Sequence, residues 1–279
     1  MQKFPKVFTL MSAILALAFG LASCKANADD DPTTTGGGDT PATAYIGTKA
    51  PSEAKAVGDI VFSDGSATAY TSELTLTNEQ KSKAVAVIFY AGSTGDTLGA
   101  KTLGVGLKNA TGSGNTLKWA RFTSFDDEAE GLRTDITAIQ CTPIGEEAAT
   151  ATFSGDLDGS NNWQALCDAV SDAGTSGNYP AWEWVNAYAT TANLTGNYAS
   201  GWYLPTVAEL SMLYRAKDTV NSALEKAGGT KIADEAEVYW SSSQVASNEY
   251  FAWYVWFGAG NLVDLNKYVQ NSVCTVRAF

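Results

Sequence analysis

The chain has 279 residues, with 30 acidic side chains against 18 basic ones and a formal net charge of −12. This acidic balance argues against binding to nucleic acids or to an anionic membrane surface. The sequence contains no histidine, which excludes Ser–His–Asp and Cys–His catalysis and removes the commonest zinc ligand.

The first 23 residues are typical of a bacterial lipoprotein signal peptide. Two lysines, Lys3 and Lys6, precede an apolar run from Val7 to Leu21 that is too short to span a membrane. Leu-Ala-Ser stands directly before Cys24, which is the pattern of a lipobox. We therefore predict an exported protein, lipid-anchored through Cys24 to the bacterial envelope at its outer surface. An ordinary signal peptide with an accidental cysteine is the alternative, and stable anchoring requires more than one acyl chain.

Residues 24–44 are predicted to form a lipidated, flexible tether. Positions 25–44 are rich in Asp, Thr, Gly and Pro and contain no aromatic or branched aliphatic residue. Such a segment cannot bury enough apolar area to order itself. The remaining residues, 45–279, are enough for one globular domain with a sizeable core.

The first part of this domain is predicted to consist mainly of strands. Asp64 and Gly65 form a turn signal after an apolar run, and a continuous apolar run suits a buried strand. The predicted strands are 57–62, 84–90, 103–107 and 117–120. We expect the last two to pair around a Gly/Asn-rich turn at 109–116, and a short helical turn at 76–81.

The middle of the domain is predicted to be helical. Residues 162–170 place apolar side chains at helical spacing on one face, and a second helix is predicted from Trp182. A third helix follows Thr206, a good N-cap with Glu209 three residues on, which is a capping box. Strands, helices and then aromatic strands predict an α+β domain whose final segment closes the sheet.

The loop 156–162 contains Asp156, Asp158 and Asn162 at alternate positions, which superficially resembles a calcium loop. The glycine and the bidentate glutamate of an EF-hand are missing from their places. We therefore predict a turn whose side chains cap the following helix, and no metal site. Three cysteines remain beyond Cys24, and either one disulfide with a free thiol or three buried thiols would fit.

The C-terminal segment is unusually aromatic. Seven aromatic residues fall between Tyr250 and Tyr268. Trp253 and Val255 alternate with Tyr254 and Trp256, which is the period of a strand with two distinct faces. One face would belong to the core, and the other, if exposed, would display Tyr and Trp as binding anchors.

A set of motifs runs through the second half of the chain: Gly155–Asn162, Gly201–Leu210, Tyr239–Ser243, Ala252, Trp253, Phe257, Gly260, Lys267, Val276 and Arg277. In this order they resemble the pattern of exported bacterial proteins with a C-type-lectin-like fold of the formylglycine-generating-enzyme type. The resemblance covers about 155–279 and implies an α+β domain with a small antiparallel sheet, flanking helices and long loops.

Within that family, the chain is similar to the variable lipoproteins of diversity-generating retroelements. In those proteins, error-prone copying at adenines replaces the C-terminal coding segment, and the resemblance implies a ligand face within about 239–279. The implied ligand-binding residues are Val245, Tyr250, Phe251, Tyr254, Trp256, Ala259, Asn261, Leu262, Val263, Asp264, Leu265, Asn266, Tyr268 and Asn271.

These observations predict a surface-displayed binding protein, a receptor or adhesin, that is not an enzyme and needs no cofactor. Its partner would be a protein or glycan on another cell, with no role for nucleic acid. One alternative is a non-variable envelope lipoprotein with a structural role. Another is an oxidase relative, which would need a reactive cysteine pair or copper thiolates that the sequence does not supply near the aromatic segment.

Overall fold

The computed structural model describes residues 45–112, 114–232 and 237–279. The predicted signal peptide, the lipidated Cys24 and the tether lie outside these described residues. All of the described residues belong to one compact unit of mixed α and β structure. Its sheets are small and their strand pairs are antiparallel.

The helices and strands follow one another in an order close to the predicted one. The helices are α1 (Asn78–Lys83), α2 (Asn162–Ala169), α3 (Pro180–Asn186), α4 (Tyr188–Thr191), α5 (Val207–Arg215) and α6 (Lys217–Ala227). The strands up to α2 are β1 (Ile60–Phe62), β2 (Ala67–Thr68), β3 (Ala84–Ala91), β4 (Thr102–Gly106), β5 (Leu117–Lys118), β6 (Phe122–Ser124), β7 (Asp127–Glu128), β8 (Cys141–Ile144) and β9 (Thr152–Gly155). The later strands are β10 (Val238–Val245), β11 (Asn248–Trp256), β12 (Asn261–Asn266), β13 (Gln270–Asn271) and β14 (Val276–Ala278).

The largest sheet has five strands in the order β14-β4-β3-β1-β2. Strand β3 lies at its centre and is buried on both faces, with Val87 in one core cluster and Ile88 in another. This explains the continuous apolar run, since a strand covered on both sides has no polar face. Strand β14 pairs with β4, so the end of the chain joins this sheet, whereas the aromatic strands predicted to close it form a separate sheet.

A second sheet has three strands in the order β10-β11-β12. Helix α5 contacts both β3 of the large sheet and β10 and β11 of this one. Its predicted capping box is present, because the Thr206 side chain accepts from the Glu209 backbone and the Glu209 side chain accepts from the Thr206 backbone. Helices α2 and α3 contribute to a separate core cluster that also includes Trp240 and Ala252 of the second sheet.

One predicted strand pairing is wrong. Strand β4 pairs with β3 and β14, whereas β5 pairs with β13, so β4 and β5 are not partners around the 109–116 turn. Strand β4 pairs with the strand before it and with the last strand, and β5 finds its partner far away in sequence, which a local turn signal cannot reveal. In the described part of the chain, no helix is long and apolar enough to cross a membrane.

The three cysteines of the domain are free thiols. Cys141 and Cys274 are fully buried, and burial raises the pKa of each thiol to about 12. Cys167 is half-buried on α2, and burial raises its pKa as well. Neither alternative left open by the sequence holds fully, since no disulfide forms and only two of the thiols are buried.

Candidate ligand-binding surface

Strand β11 does not have the free face that the sequence suggested. Val255 on one side belongs to the core cluster around α5, and Ala252 on the other side belongs to the cluster around α2 and α3. Tyr254 packs partly against that second cluster, with its ring 6.2 Å from the ring of Trp240. The expectation of one core face and one exposed face is therefore wrong for the middle of this strand, because both sides pack against core clusters.

The fourteen predicted ligand-binding residues divide by exposure. Three are buried and cannot belong to a surface: Val245, Leu262 and Asn271. Seven are partly buried: Tyr250, Phe251, Tyr254, Asn261, Val263, Leu265 and Asn266. Four are exposed: Trp256, Ala259, Asp264 and Tyr268.

The predicted aromatic anchors do not form a single patch. Tyr250 lies near the start of β11, whereas Trp256 is its last residue. Six residues of extended chain separate the two by about 20 Å. Tyr268 follows the end of β12, next to the Tyr250 end, because the Lys267 backbone donates to the carbonyl of Tyr250. The structure therefore brings Tyr250 and Tyr268 together and leaves Trp256 at the opposite end of the hairpin.

At the Tyr250 end, four aromatic rings and one guanidinium form an exposed group that we call the aromatic cluster: Phe122, Phe125, Arg133, Tyr250 and Tyr268. The Phe122 ring lies 5.5 Å from that of Phe125 and 5.3 Å from that of Tyr268. The Arg133 guanidinium lies 5.2 Å from the Phe125 ring centre and 5.9 Å from that of Tyr250. Phe125 is 77% exposed and Tyr268 is 39% exposed, so the cluster offers apolar area to solvent.

Two ion pairs stabilise the β6–β7 hairpin, which carries Phe122 and Phe125. Arg133 pairs with Glu128 at 2.6 Å, and Arg121 pairs with Asp127 at 2.7 Å. An acidic run such as 126–128 is typical of solvated loop charges, but Asp127 and Glu128 form ion pairs here. The Glu128 carboxylate orients the Arg133 guanidinium, which is thereby held over Phe125.

A buried lysine lies behind the aromatic cluster. Lys267 directly precedes Tyr268, is fully buried, and donates to the backbone carbonyl of Gly131 across 2.7 Å. Its ammonium also lies 4.5 Å from the ring centre of Trp119. Burial lowers the pKa of Lys267 to about 7, although the carboxylates of Glu249 and Asp135 act in the opposite direction.

Sequence reasoning missed Phe122, Phe125 and Arg133. They lie more than a hundred residues before Tyr250, so no local pattern links them to the aromatic segment. The available signal was Phe125 itself, an aromatic residue directly followed by Asp126, Asp127 and Glu128. An aromatic residue within a charged turn is poorly placed for a core and well placed for contact with a partner.

The Trp256 end of the hairpin is anchored by helices. Gly260 has φ +83°, and a Cβ atom there would lie 2.4 Å from the hydroxyl oxygen of Tyr214. Lys217 donates to the carbonyl of Phe257 across 3.1 Å and lies 4.4 Å from the Tyr214 ring centre. These contacts fix the turn, so Trp256 at 40% exposure is presented on a rigid support.

The loop 156–162 uses its polar side chains internally. Asp156 accepts from the Asn162 side chain at 2.7 Å and from the Asp158 backbone, and Asp158 caps the 3-10 turn that leads into α2. Asp158 also pairs with Lys101 at 2.6 Å. The predicted turn is present, but its side-chain cap lies on the 3-10 turn, and α2 itself has no side-chain cap at Asn161. Among the residues that the structure describes, no group of three or more His, Cys, Asp or Glu side chains is placed to hold a metal ion.

Comparison with known proteins gives a similarity of fold. No protein-family model matches the chain, and a search of the curated proteins finds no match. Among solved structures, the crystal structure of a fimbrial protein from Bacteroides ovatus is similar, with a TM-score of 0.51 at 15% sequence identity. The match covers 81% of this chain and 49% of that one, so this chain spans about half the length of the fimbrial protein. At this identity the similarity concerns the fold alone.

Proposed function

We propose that the protein is a lipid-anchored, surface-displayed receptor or adhesin that binds a protein on another cell through the aromatic cluster. The observation that carries this proposal is the exposed contact between the Phe122, Phe125 and Tyr268 rings, with the Arg133 guanidinium held over Phe125. Aromatic residues and arginine are the side chains enriched in protein–protein hot spots. A contiguous exposed apolar patch also differs from single exposed hydrophobic residues, which need no explanation.

Rigidity of the aromatic cluster supports the same proposal. Its members come from three regions of the chain, and buried interactions join two of these regions, as Lys267 does with Gly131. A surface that is already ordered loses less conformational entropy when it binds. Two ion pairs beside the rings, Arg121–Asp127 and Arg133–Glu128, provide charges of both signs for a polar rim.

We also propose that the domain has the C-type-lectin-like fold. The motifs that carry the resemblance contribute to the interior, since Trp240, Ser242, Ala252, Phe257 and Lys267 are all buried. The strands nearest the two ends of the domain, β1, β2 and β14, share one sheet.

A binding assay with intact cells tests the function. Fluorescently labelled protein would be incubated with a panel of bacterial and host cells, each with and without prior protease treatment. We expect saturable binding to at least one cell type that protease removes. Phe125→Ala and Tyr268→Ala should each weaken it about tenfold, the effect of removing about 1.4 kcal/mol of binding energy.

Trp256→Ala is the matched control, because Trp256 is also an exposed aromatic residue but lies at the other end of the hairpin. Equal binding by wild type, Phe125→Ala and Tyr268→Ala would refute the proposed surface. Loss of binding only with Trp256→Ala would move the site to the other end of the hairpin. Removal of binding by glycosidases and not by protease would make the partner a glycan.

Diversification by a retroelement is part of the proposal and has its own test. Sequencing the gene and its downstream region in many isolates should find a near-identical repeat that differs at adenines. We expect variation at exposed positions such as Tyr268 and Asp264 and none at the buried Val245, Leu262 and Asn271. An invariant C-terminal segment without a repeat would contradict diversification and leave a binding protein of fixed specificity.

A further inference from the structure

One groove of the domain concentrates basic side chains. Three adjoining cavities, of about 480, 240 and 580 Å³, follow one another along the segment 188–200. The first two share Ala192 and Leu194, and the last two share Tyr198. We call the three cavities together the basic groove. No residue of the aromatic cluster lines it, so the groove is separate from the proposed receptor surface.

Five basic residues line the basic groove: Lys55, Lys81, Lys83, Lys108 and Arg277. The lining residues that the structure describes include no aspartate and no glutamate. In the whole chain, by contrast, 30 acidic side chains stand against 18 basic ones. The groove therefore departs from the net charge of the protein, which gives the sum of the charges and not their distribution.

Carboxylates do not neutralise these basic groups. In the described part of the chain, none of the five forms an ion pair. Lys108 donates to the backbone carbonyl of Thr191 at 2.6 Å, and Arg277 donates to that of Ser200. An ammonium or guanidinium group has more donors than one carbonyl can use, so both side chains keep donors for a ligand.

Arg277 is the most enclosed of these cations. Its guanidinium lies 4.9 Å from the ring centre of Tyr198, and burial lowers the pKa of Arg277. The Asp64 carboxylate, which lies near Tyr198, already accepts from the backbones of Ile46 and Ser66. A partly desolvated cation without a carboxylate costs free energy, and an anionic ligand would offset that cost.

Helix ends do not explain the concentration of charge. Lys81 and Lys83 lie in the last turn of α1, where a positive charge is favourable in any case. Lys55, Lys108 and Arg277 belong to no helix. These three come from distant parts of the chain, and the fold brings them to the same groove.

The shape and the lining of the basic groove favour a polypeptide as its ligand. The groove is a series of cavities and not a flat surface, so a lipid bilayer cannot reach its floor. Proteins that bind single-stranded nucleic acids stack bases on accessible aromatic rings. Of the aromatic residues that line the groove, Tyr188 and Tyr198 are buried and Phe279 is half-buried. Little ring area is therefore available for stacking.

Uncharged polar side chains accompany the cations. Asn193, Thr195 and Asn197 stand at alternate positions of the segment 188–200, line the groove and are exposed. Their amide and hydroxyl groups can bond to the N–H and C=O groups of an extended backbone, which needs partners for both. The groove thus offers cations for acidic side chains and neutral groups for the main chain that carries them.

We propose that the basic groove binds an extended, acidic segment of a partner protein. Carboxylates of the segment pair with the lysines and with Arg277, and such charge-assisted hydrogen bonds are stronger than neutral ones. A single small anion would occupy only one of the three cavities, whereas an extended segment passes along all of them. The acidic segment therefore accounts for the whole set of unpaired cations.

Fluorescence anisotropy with the purified full-length protein tests this proposal. The acidic probe is a labelled peptide that alternates aspartate with glycine, and the neutral probe has asparagine in place of each aspartate. We expect saturable binding of the acidic probe and no binding of the neutral one. The affinity should fall as added salt screens the charges.

Charge reversal locates the binding. Lys55→Glu, Lys83→Glu and Lys108→Glu each change a different cavity of the groove. Each should lower the affinity about tenfold, or about 1.4 kcal/mol. Lys83 and Lys108 are exposed, so their replacement leaves the domain folded. Lys118→Glu is the matched control, because it changes the net charge equally at a half-buried lysine outside the groove, and it should leave binding unchanged.

Absence of saturable binding would overturn the proposal, and so would equal losses in Lys83→Glu and Lys118→Glu, since net charge alone would then matter. An oligothymidylate and vesicles of phosphatidylglycerol test the other polyanions. Tighter binding of either than of the acidic peptide, lost in Lys83→Glu and Lys108→Glu, would assign the groove to a nucleic acid or to a membrane instead. The receptor proposal concerns different residues and a different assay, so each can fail without the other.

Discussion

The buried ammonium of Lys267 donates a hydrogen bond of 2.7 Å to the backbone carbonyl of Gly131. These two residues are 136 positions apart in the chain. Lys267 directly precedes Tyr268, and Gly131 lies two residues before Arg133, so the bond ties together two parts of the aromatic cluster. Lys267, one of the positions that carry the family resemblance, thus supports the proposed binding surface.

The Lys267 ammonium makes stability depend on pH above neutrality. Its pKa is lowered by burial from 10.5 to about 7. Between these values the unfolded chain holds a proton that the folded protein has released, so the free energy of unfolding rises with pH across this window. We expect Lys267→Met, which keeps the length of the side chain without its charge, to remove this rise in urea titrations between pH 7 and 10.5.

Lys81→Met on the exposed side of α1 is the control for the lysine prediction and should keep the wild-type pH dependence. If Lys267→Met retains the full rise, the buried ammonium is not its source.

Because of Glu209, we expect the free energy of unfolding to show the opposite pH dependence in the acidic range. Glu209 is fully buried and accepts from the Thr206 backbone at 2.8 Å and from the Tyr203 hydroxyl at 2.9 Å. Burial raises its pKa from 4.5 to about 7. The folded protein therefore binds a proton in this window that the unfolded chain has released, and stability falls as pH rises from 4.5 through 7.

Glu209→Gln should flatten this fall, because the amide keeps the size and one acceptor oxygen without titrating. Thermal unfolding at several pH values measures the effect, with Glu79→Gln on the exposed face of α1 as the control. An unchanged slope in Glu209→Gln would contradict the assignment to this carboxyl group.

Trp253 and Tyr254 should both contribute to stability, since each is half-buried against a core cluster. The two-faced interpretation of β11 would have Tyr254→Ala leave the domain intact. We instead expect each alanine variant to lose about 2–3 kcal/mol, somewhat less than the roughly 3–5 kcal/mol of a fully buried aromatic residue. Urea unfolding of both variants checks this, and a fully stable Tyr254→Ala protein would restore the original interpretation.

Alanine substitutions at Gly260 and Gly228 test how much the contact between Gly260 and Tyr214 contributes to stability. Both have positive φ, +83° and +75°, but only the Cβ of an alanine at Gly260 would meet the Tyr214 hydroxyl, at 2.4 Å. Gly228→Ala should cost about 1–2 kcal/mol from backbone conformation alone. Gly260→Ala should cost more, and Tyr214→Phe in the same chain should recover part of the excess. Equal losses at the two glycines would show that the Tyr214 contact has no energetic weight.

The sequence predicted those elements of the fold that depend on residues close together in the chain. The capping box at Thr206 and Glu209, the helix from Asn162 and the buried strand at Ala84 all appear where the sequence placed them. Each depends on side chains that interact within a few positions or on a run of one polarity. The partner of β5 was not predictable, because Leu117 pairs with Asn271 across most of the domain.

The candidate site was predictable only in part for the same reason. Tyr250 and Tyr268 were among the predicted anchors, but Phe125 and Arg133 join them through tertiary contacts alone. Period-two alternation correctly separated Val255 from Tyr254. It could not tell that a core cluster packs against the Tyr254 side, since alternation reports two faces and not what packs on each.

The sequence by itself determined the mixed α and β composition and the capped α5 helix. Those features follow from short-range hydrogen bonds and from the polarity of consecutive side chains. Only the tertiary structure decided which aromatic residues reach solvent, because exposure depends on every element packed nearby. Leu262 is buried and Phe125 is exposed, although residue type alone gives no reason to separate them.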